Sequence, residues 1–351
     1  MTCSTPPQPF ARFFLSAILS FPLCFTLSCS SDSDQGTDPR LTPSVFRFEQ
    51  ELDQAARKGP DSVDRLRKSH PLFYKLLVEE MMGMGPADSN TTAYLLCQFQ
   101  RDLYTDSLVR DIYEAFPADR DPLLYRALPN AIARFRKEFH TPTPTRITTF
   151  LSGFRYQAAL DDSGELLIGL DTYLGRNYRY YATAHYIYEY QTRRMSRDYL
   201  LPDALRLLLQ DQLSPPPSTA SLLEEMIAAG KVHYAIQKLQ PGIPDSSLFR
   251  YTSTQAAWAA RHEKDVWKYL MGQNLVYASE LRLKSRFLDD GPATLELDPE
   301  APPRLGEWIG ASMVGRYMKK HPEVTLPDLF QKKEIDIFKA SGYRGERQSK
   351  L

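Results

Sequence analysis

No catalytic signature of the common kinds occurs in this 351-residue sequence. Without a Gly-x-Ser-x-Gly elbow, a phosphate-cradling Gly-x-x-x-x-Gly-Lys, a Rossmann glycine fingerprint or a paired Cys-x-x-Cys, nothing argues for a serine hydrolase, a P-loop enzyme, a dinucleotide-dependent enzyme or a thiol oxidoreductase. An excess of one charge is missing too. With 43 Lys and Arg against 43 Asp and Glu, electrostatic capture of nucleic acid is not expected. Cysteine is scarce at 4, and Gly at 17 is outnumbered by Pro at 26, which predicts stiff loops between well-separated elements. There is no low-complexity tract and no repeat of fixed period. What remains is 42% apolar and 25% charged, the balance of a folded domain with a sizeable core.

One segment departs from that average. Arg12 is the single basic residue of positions 1–12, and the apolar run Phe13 to Leu27 follows it. The run is too short and too interrupted to span a membrane, but it has the size of a signal-peptide apolar region. It ends in Thr26-Leu27-Ser28-Cys29, followed by the acidic Ser30-Ser31-Asp32-Ser33-Asp34. A small residue before a cysteine at that place resembles a bacterial lipobox, although Thr26 stands where Leu is usual. Residues 1–28 are therefore predicted to be a lipoprotein signal peptide, with Cys29 as the lipidation site. Cys24, after bulky Leu23, is a weaker candidate, and an ordinary secretory signal is the plainer alternative. Residues 29–43 read as a flexible tether. Residues 44–345 read as one globular domain, helical over 44–140, with a hairpin and further helices over 141–345. If Cys3 and Cys24 leave with the signal and Cys29 carries lipid, Cys97 is the one thiol left, and its apolar surroundings make it a buried small hydrophobe. Lipid rather than charge would then hold the chain at a membrane. Ser30 after Cys29 points to the outer membrane and leaves the face open.

The fold class predicted is α+β, predominantly helical with one small central antiparallel sheet or hairpin. Helical periodicity covers residues 45–58, 62–82, 89–115 and 122–139, with Pro129 either kinking the last helix or lying near its true start. After Thr141-Pro142-Thr143-Pro144 the period changes to two. Arg146 to Leu151, Phe154 to Leu160 and Glu165 to Leu170 read as strands, the last two joined by the turn Asp161 to Gly164. Helical pattern then returns. Thr252 or Ser253 can cap a helix with Trp258, His262, Val266 and Leu270 on one face. A later helix from Leu305 to Tyr317 carries Gly306, Gly310 and Gly315, which give room for close packing.

The residues that could carry chemistry lie after the hairpin. In Tyr180 to Tyr190, His185 and Glu189 stand four apart, which on a helix puts them on one face and within reach of one ion. Glu225, or its neighbour Glu224, would supply a third oxygen, so that His185, Glu189 and Glu225 form a candidate zinc set. Against a His-Glu-x-x-His helix, however, Tyr186 replaces the general base and Glu189 the second His. A tyrosine with a reference pKa near 10 cannot take a proton from metal-bound water as a carboxylate does. A plain hydrogen-bonded His–Glu pair is the competing account. His262-Glu263 lacks the second His of such a motif. The crowded tyrosines, Tyr180, Tyr181 and Tyr188 among them, suggest a glycan- or peptide-binding surface, against core packing as the blander reading.

Several blocks are similar to the gliding-motility lipoprotein GldB family. They are Ile168 to Gly175, Leu222 to Lys231, Trp267 to Leu270, Arg286 to Pro292 and Pro303 to Gly310. The resemblance covers most of residues 40–345. It implies a lipid-anchored envelope protein that works with the gliding and associated secretion machinery, without an established enzymatic activity or cofactor. The blocks also resemble a distant zincin-like arrangement, in which Ala229 before Gly230 leaves the usual third ligand missing.

Overall fold

A four-stranded sheet separates two sets of helices. Its strands are β1 (Ser44–Arg47), β2 (Arg146–Phe150), β3 (Ala158–Leu160) and β4 (Leu166–Gly169), in the order β1-β2-β4-β3. In this computed structural model the described residues are 38–346 apart from Asp119 and His185, with the backbone alone for Leu103 and Tyr104. Cys29 and the predicted signal peptide lie outside them. The hairpin of β3 and β4 is antiparallel, as the turn chemistry predicts. Asp161 Oδ1 accepts the Ser163 and Glu165 N–H groups at 2.9 and 3.0 Å, and Gly164 takes a φ of 80°. The other pairings, β1 with β2 and β2 with β4, are parallel. The sheet is therefore mixed, and the expected antiparallel unit is one part of it.

Alternate side chains of the strands serve different cores. Phe150 and Leu167 pack among α1 (Phe48–Lys58), α2 (Pro60–Ser69), α3 (Pro71–Lys75) and α4 (Asn90–Arg101), with Leu52, Tyr74, Leu96 and buried Cys97. Ile147, Leu166 and Ile168 face the larger core. That core is built from α5 (Leu103–Ala115), α6 (Leu128–Phe139), α8 (Arg197–Asp211), α9 (Leu222–Leu239), α10 (Asp245–Phe249), α11 (Ser253–Gly272), α12 (Leu281–Leu288), α13 (Leu305–Lys320), α14 (Leu326–Gln331) and α15 (Glu334–Ser341), while the short α7 (Glu189–Thr192) buries no side chain.

One expectation changes here and one open alternative is decided. Val45 to Arg47, read as the start of a helix, form β1, because their partners are Ile147 to Thr149 about a hundred residues away. Of the two places offered for Pro129, the structure shows the second, near the true start of the helix. It sits at the second position of α6, just past a wider π-type turn over Leu123–Ala127, where its missing N–H costs little.

The closest helix pair is α9 on α13. A Cβ on Gly310 would stand 1.7 Å from the Met226 carbonyl oxygen, and one on Gly230 would stand 2.3 Å from the Gly310 carbonyl carbon. Backbone therefore meets backbone at this crossing, and only glycine fits.

Candidate functional site

The helix expected to carry His185 and Glu189 on one face is not formed. Tyr181–Thr183 make a single 3₁₀ turn, Ala184 and Tyr188 are extended, and α7 begins only at Glu189. The cause is Tyr181. Its ring is buried, and its hydroxyl donates to the Asp171 carbonyl at 2.8 Å and accepts the Leu174 N–H at 3.0 Å, which folds the segment back on itself. His185 lies outside the described residues. Glu189 is exposed. Glu225 pairs with the Lys284 ammonium, and Glu224 closes a capping box with Ser221 at the start of α9. Among the described residues no group of three His, Cys, Asp or Glu is arranged to hold a metal ion, and Glu225 is committed to its lysine.

The three tyrosines singled out as a binding surface separate. Tyr181 is core, against Phe154 and Tyr178. Tyr180 is half-buried with the Arg179 guanidinium 4.8 Å from its ring centre. Tyr188 is exposed and stacks on Tyr190.

Charge concentrates elsewhere, where α8, α9, α10 and α13 meet. Asp203 and Arg206, three apart on α8, face inward from a helix that is otherwise apolar there. Arg250, just after α10, donates through Nε to Asp203 Oδ1 at 3.0 Å, and the Tyr173 hydroxyl reaches Asp203 Oδ2 at 3.3 Å. Arg206 Nη2 donates to the Leu248 carbonyl at 2.7 Å, and Arg304 Nη2 donates to the Phe249 carbonyl at 3.0 Å. Those carbonyls end α10 and have no helical partner of their own. Arg194 and Arg304 both reach Asp290. Arg250 and Arg304 each hold a φ of 57°, a left-handed conformation that costs a branched backbone about 1–2 kcal/mol. Their guanidinium bonds hold it in place.

His233 of α9 completes the network. Its Nε2 lies 2.8 Å from Glu307 Oε2 on α13 and donates to it, while its ring stacks on Phe249 and Nδ1 has no hydrogen-bond partner. Burial, then the nearby Arg206 charge, pushes the imidazole down to about 4, so it is neutral at pH 7. Burial pushes Glu307 up, but the His233 hydrogen bond and the Arg304 and Arg206 charges outweigh it and hold the carboxyl well below the usual range. Burial and then Arg250 pull Arg206 down to about 10, and the same two causes lower Arg194. Arg194, Arg206, Arg250 and Arg304 thus face Asp203, Asp290 and Glu307, which leaves the network with one cation in excess.

Of two hollows in this part of the domain, the second borders the network at Arg194. One, of about 750 Å³, has half-buried Trp258 and His262 in its wall, with ring centres 4.5 Å apart. Its charges balance, with Arg176, Arg193 and Arg261 against Asp265, Asp298 and Glu300. The other, of about 480 Å³, lies between the loop after β2 and the segment leading to α8, and includes Arg194. Sequence reasoning missed the network. The signal was there as ionisable residues inside apolar helical runs, Asp203 and Arg206 between Leu200 and Leu209, and His233 beside Val232.

The sequence model of a family described as gliding motility protein GldB matches residues 31–345. No curated protein and no solved structure matches the chain.

Proposed function

The chain belongs to the GldB family of gliding motility proteins, and on that premise we propose that it is a non-enzymatic lipoprotein of the cell envelope. It is tethered through Cys29, at the outer membrane, and its folded domain binds other components of the gliding and associated secretion machinery. The observation that carries this reading is the family match along nearly the whole chain, joined to the lipobox at Thr26 to Cys29. No described helix is long and apolar enough to cross a membrane, which agrees with a lipid as the attachment. The inward charges of α8 support a binding role over a catalytic one. Asp203 and Arg206 are engaged in ion pairs and backbone hydrogen bonds, and the imidazole beside them is fully buried. General acid–base work needs a group within reach of substrate and near its operating pH.

The anchor is tested by Cys29→Ala expressed from the natural locus. The expected result is loss of lipid labelling, accumulation of unprocessed precursor and release from the membrane fraction. Unchanged labelling and fractionation would remove the anchor from the account.

A further inference from the structure

The polar lining of the 480 Å³ hollow is two arginines, two glutamines and two hydroxyls. Arg155 stands at its rim and Arg194 in its wall, and no carboxylate lines it among the described residues. Arg155 contacts the Tyr186 ring face at 5.7 Å and has no carboxylate partner among the described residues. The lining hydroxyls donate to backbone, Thr172 to the Gly169 carbonyl at 2.7 Å and Tyr186 to the Gly153 carbonyl, so their remaining lone pairs can only accept. The side-chain nitrogen of Gln157 has no hydrogen-bond partner but is sealed from water, and so from a ligand in the hollow. Gln191 uses its oxygen to cap α7, at 2.9 Å from the Tyr188 N–H, which leaves its NH₂. Two guanidinium groups, of which Arg194 is already paired with Asp290 and Arg155 has no carboxylate partner among the described residues, select an anionic ligand.

Its shape is fixed before any ligand arrives. The carboxylate of buried Asp171 accepts the Phe154 N–H at 2.7 Å and both the N–H and hydroxyl of Ser152 at 3.1 Å. These bonds hold Gly153 and Phe154 at a φ of 65° each. The remaining wall, Phe154, Ile187 and Met195, is apolar. A bare inorganic anion has no use for that surface, whereas a ligand with a carbon framework does.

We propose that this hollow binds a peptide segment through an acidic side chain, with Arg155 and Arg194 on the carboxylate and the Gln191 amide on an adjoining peptide carbonyl. The excess cation of the network behind Arg194 adds to the attraction. The proposal rests on reading the domain as a binding module and is independent of the lipid anchor, so its failure leaves the membrane result standing.

The test uses the full-length protein in detergent on arrays of end-blocked pentapeptides, X-X-Glu-X-X against X-X-Gln-X-X. Charge-assisted bidentate bonds predict retention on the Glu array about tenfold above the Gln array. Arg155→Gln and Arg194→Gln are each expected to reduce the Glu signal about fivefold, with thermal melts reporting that the fold is kept. Arg155 is exposed, so its variant keeps the test decisive even if Arg194→Gln does not fold. Equal retention on both arrays, or a Glu signal unmoved by Arg155→Gln, overturns the proposal. Inorganic phosphate that displaces the protein at lower concentration than a free Glu peptide does would mark a phosphate site and overturn the peptide assignment.

Discussion

His233 is held neutral by its place in the fold, and that has a measurable sign. Its pKa is 6.5 in the open chain and about 4 when folded. Above pH 6.5 the imidazole is neutral in both states. Below it, the unfolded chain takes a proton that the folded protein refuses, so this group's contribution to stability is lost as pH falls from 6.5 toward 4, by about 3 kcal/mol at the limit. Asp171 works the other way. Burial pushes its carboxyl up to about 6 against the hydrogen bonds from Phe154 and Ser152, so its effect is most favourable at low pH and fades as pH rises through 6. The two trends oppose each other, and the stability of the intact protein reports neither cleanly. The difference between wild type and His233→Gln does, since glutamine can keep an N–H toward Glu307 without titrating. Urea unfolding across this range should show the wild type losing about 2–3 kcal/mol relative to the variant on acidification. Parallel curves would mean that His233 is not held neutral.

At the scale of elements, the crossing of α9 over α13 is the sharpest constraint. Gly310→Ala drives a methyl group into the Met226 carbonyl, and because backbone cannot step aside the helices must part. The expected loss is about 3 kcal/mol or more, or failure to fold. Gly272→Ala, at the end of α11 with nothing within 4 Å of the added carbon, should be neutral or stabilising by up to about 1 kcal/mol. Chemical denaturation of both variants checks the contrast, and equal effects would contradict it. Gly310 was readable from the sequence as a close-packing position, since glycine amid Trp308, Ile309 and Met313 has few other uses. The cap at Thr252 was readable as well, and its side chain does accept the Gln255 N–H. Of the face read on α11, Val266 and Leu270 are buried as that pattern implies, and the first turns differ. Trp258 and His262 are half-buried in a hollow wall, while Ala259 and Glu263 turn inward. Glu263 can be buried because Trp308 Nε1 and the Tyr343 hydroxyl donate to it at 2.7 and 2.8 Å, and no apolar pattern announces such partners. β1 and the 180–190 segment escaped for the same kind of reason, a distant strand in one case and Tyr181 entering the core in the other. The ionic network joins residues from Arg194 to Glu307, and its charge balance exists only once α8, α9, α10 and α13 have met.

Over the whole molecule, the function proposed on the family match and the lipobox is that of a folded domain held at an envelope surface by a lipid on a short tether. In that arrangement the anchor supplies location and the domain supplies recognition, and the two should be separable by mutation. An Arg155→Gln protein should still fractionate with membranes while losing its preference for acidic peptides. Fractionation and peptide arrays on the same preparation check this, and release of Arg155→Gln from the membrane would contradict it. The most direct measurement is colony spreading of the native host lacking this protein, complemented with the same chain carrying a cleavable secretory signal and Ala in place of Cys29, at matched envelope levels. The account predicts that this unanchored domain fails to restore gliding where the wild type succeeds. Full restoration by the unanchored chain would contradict it.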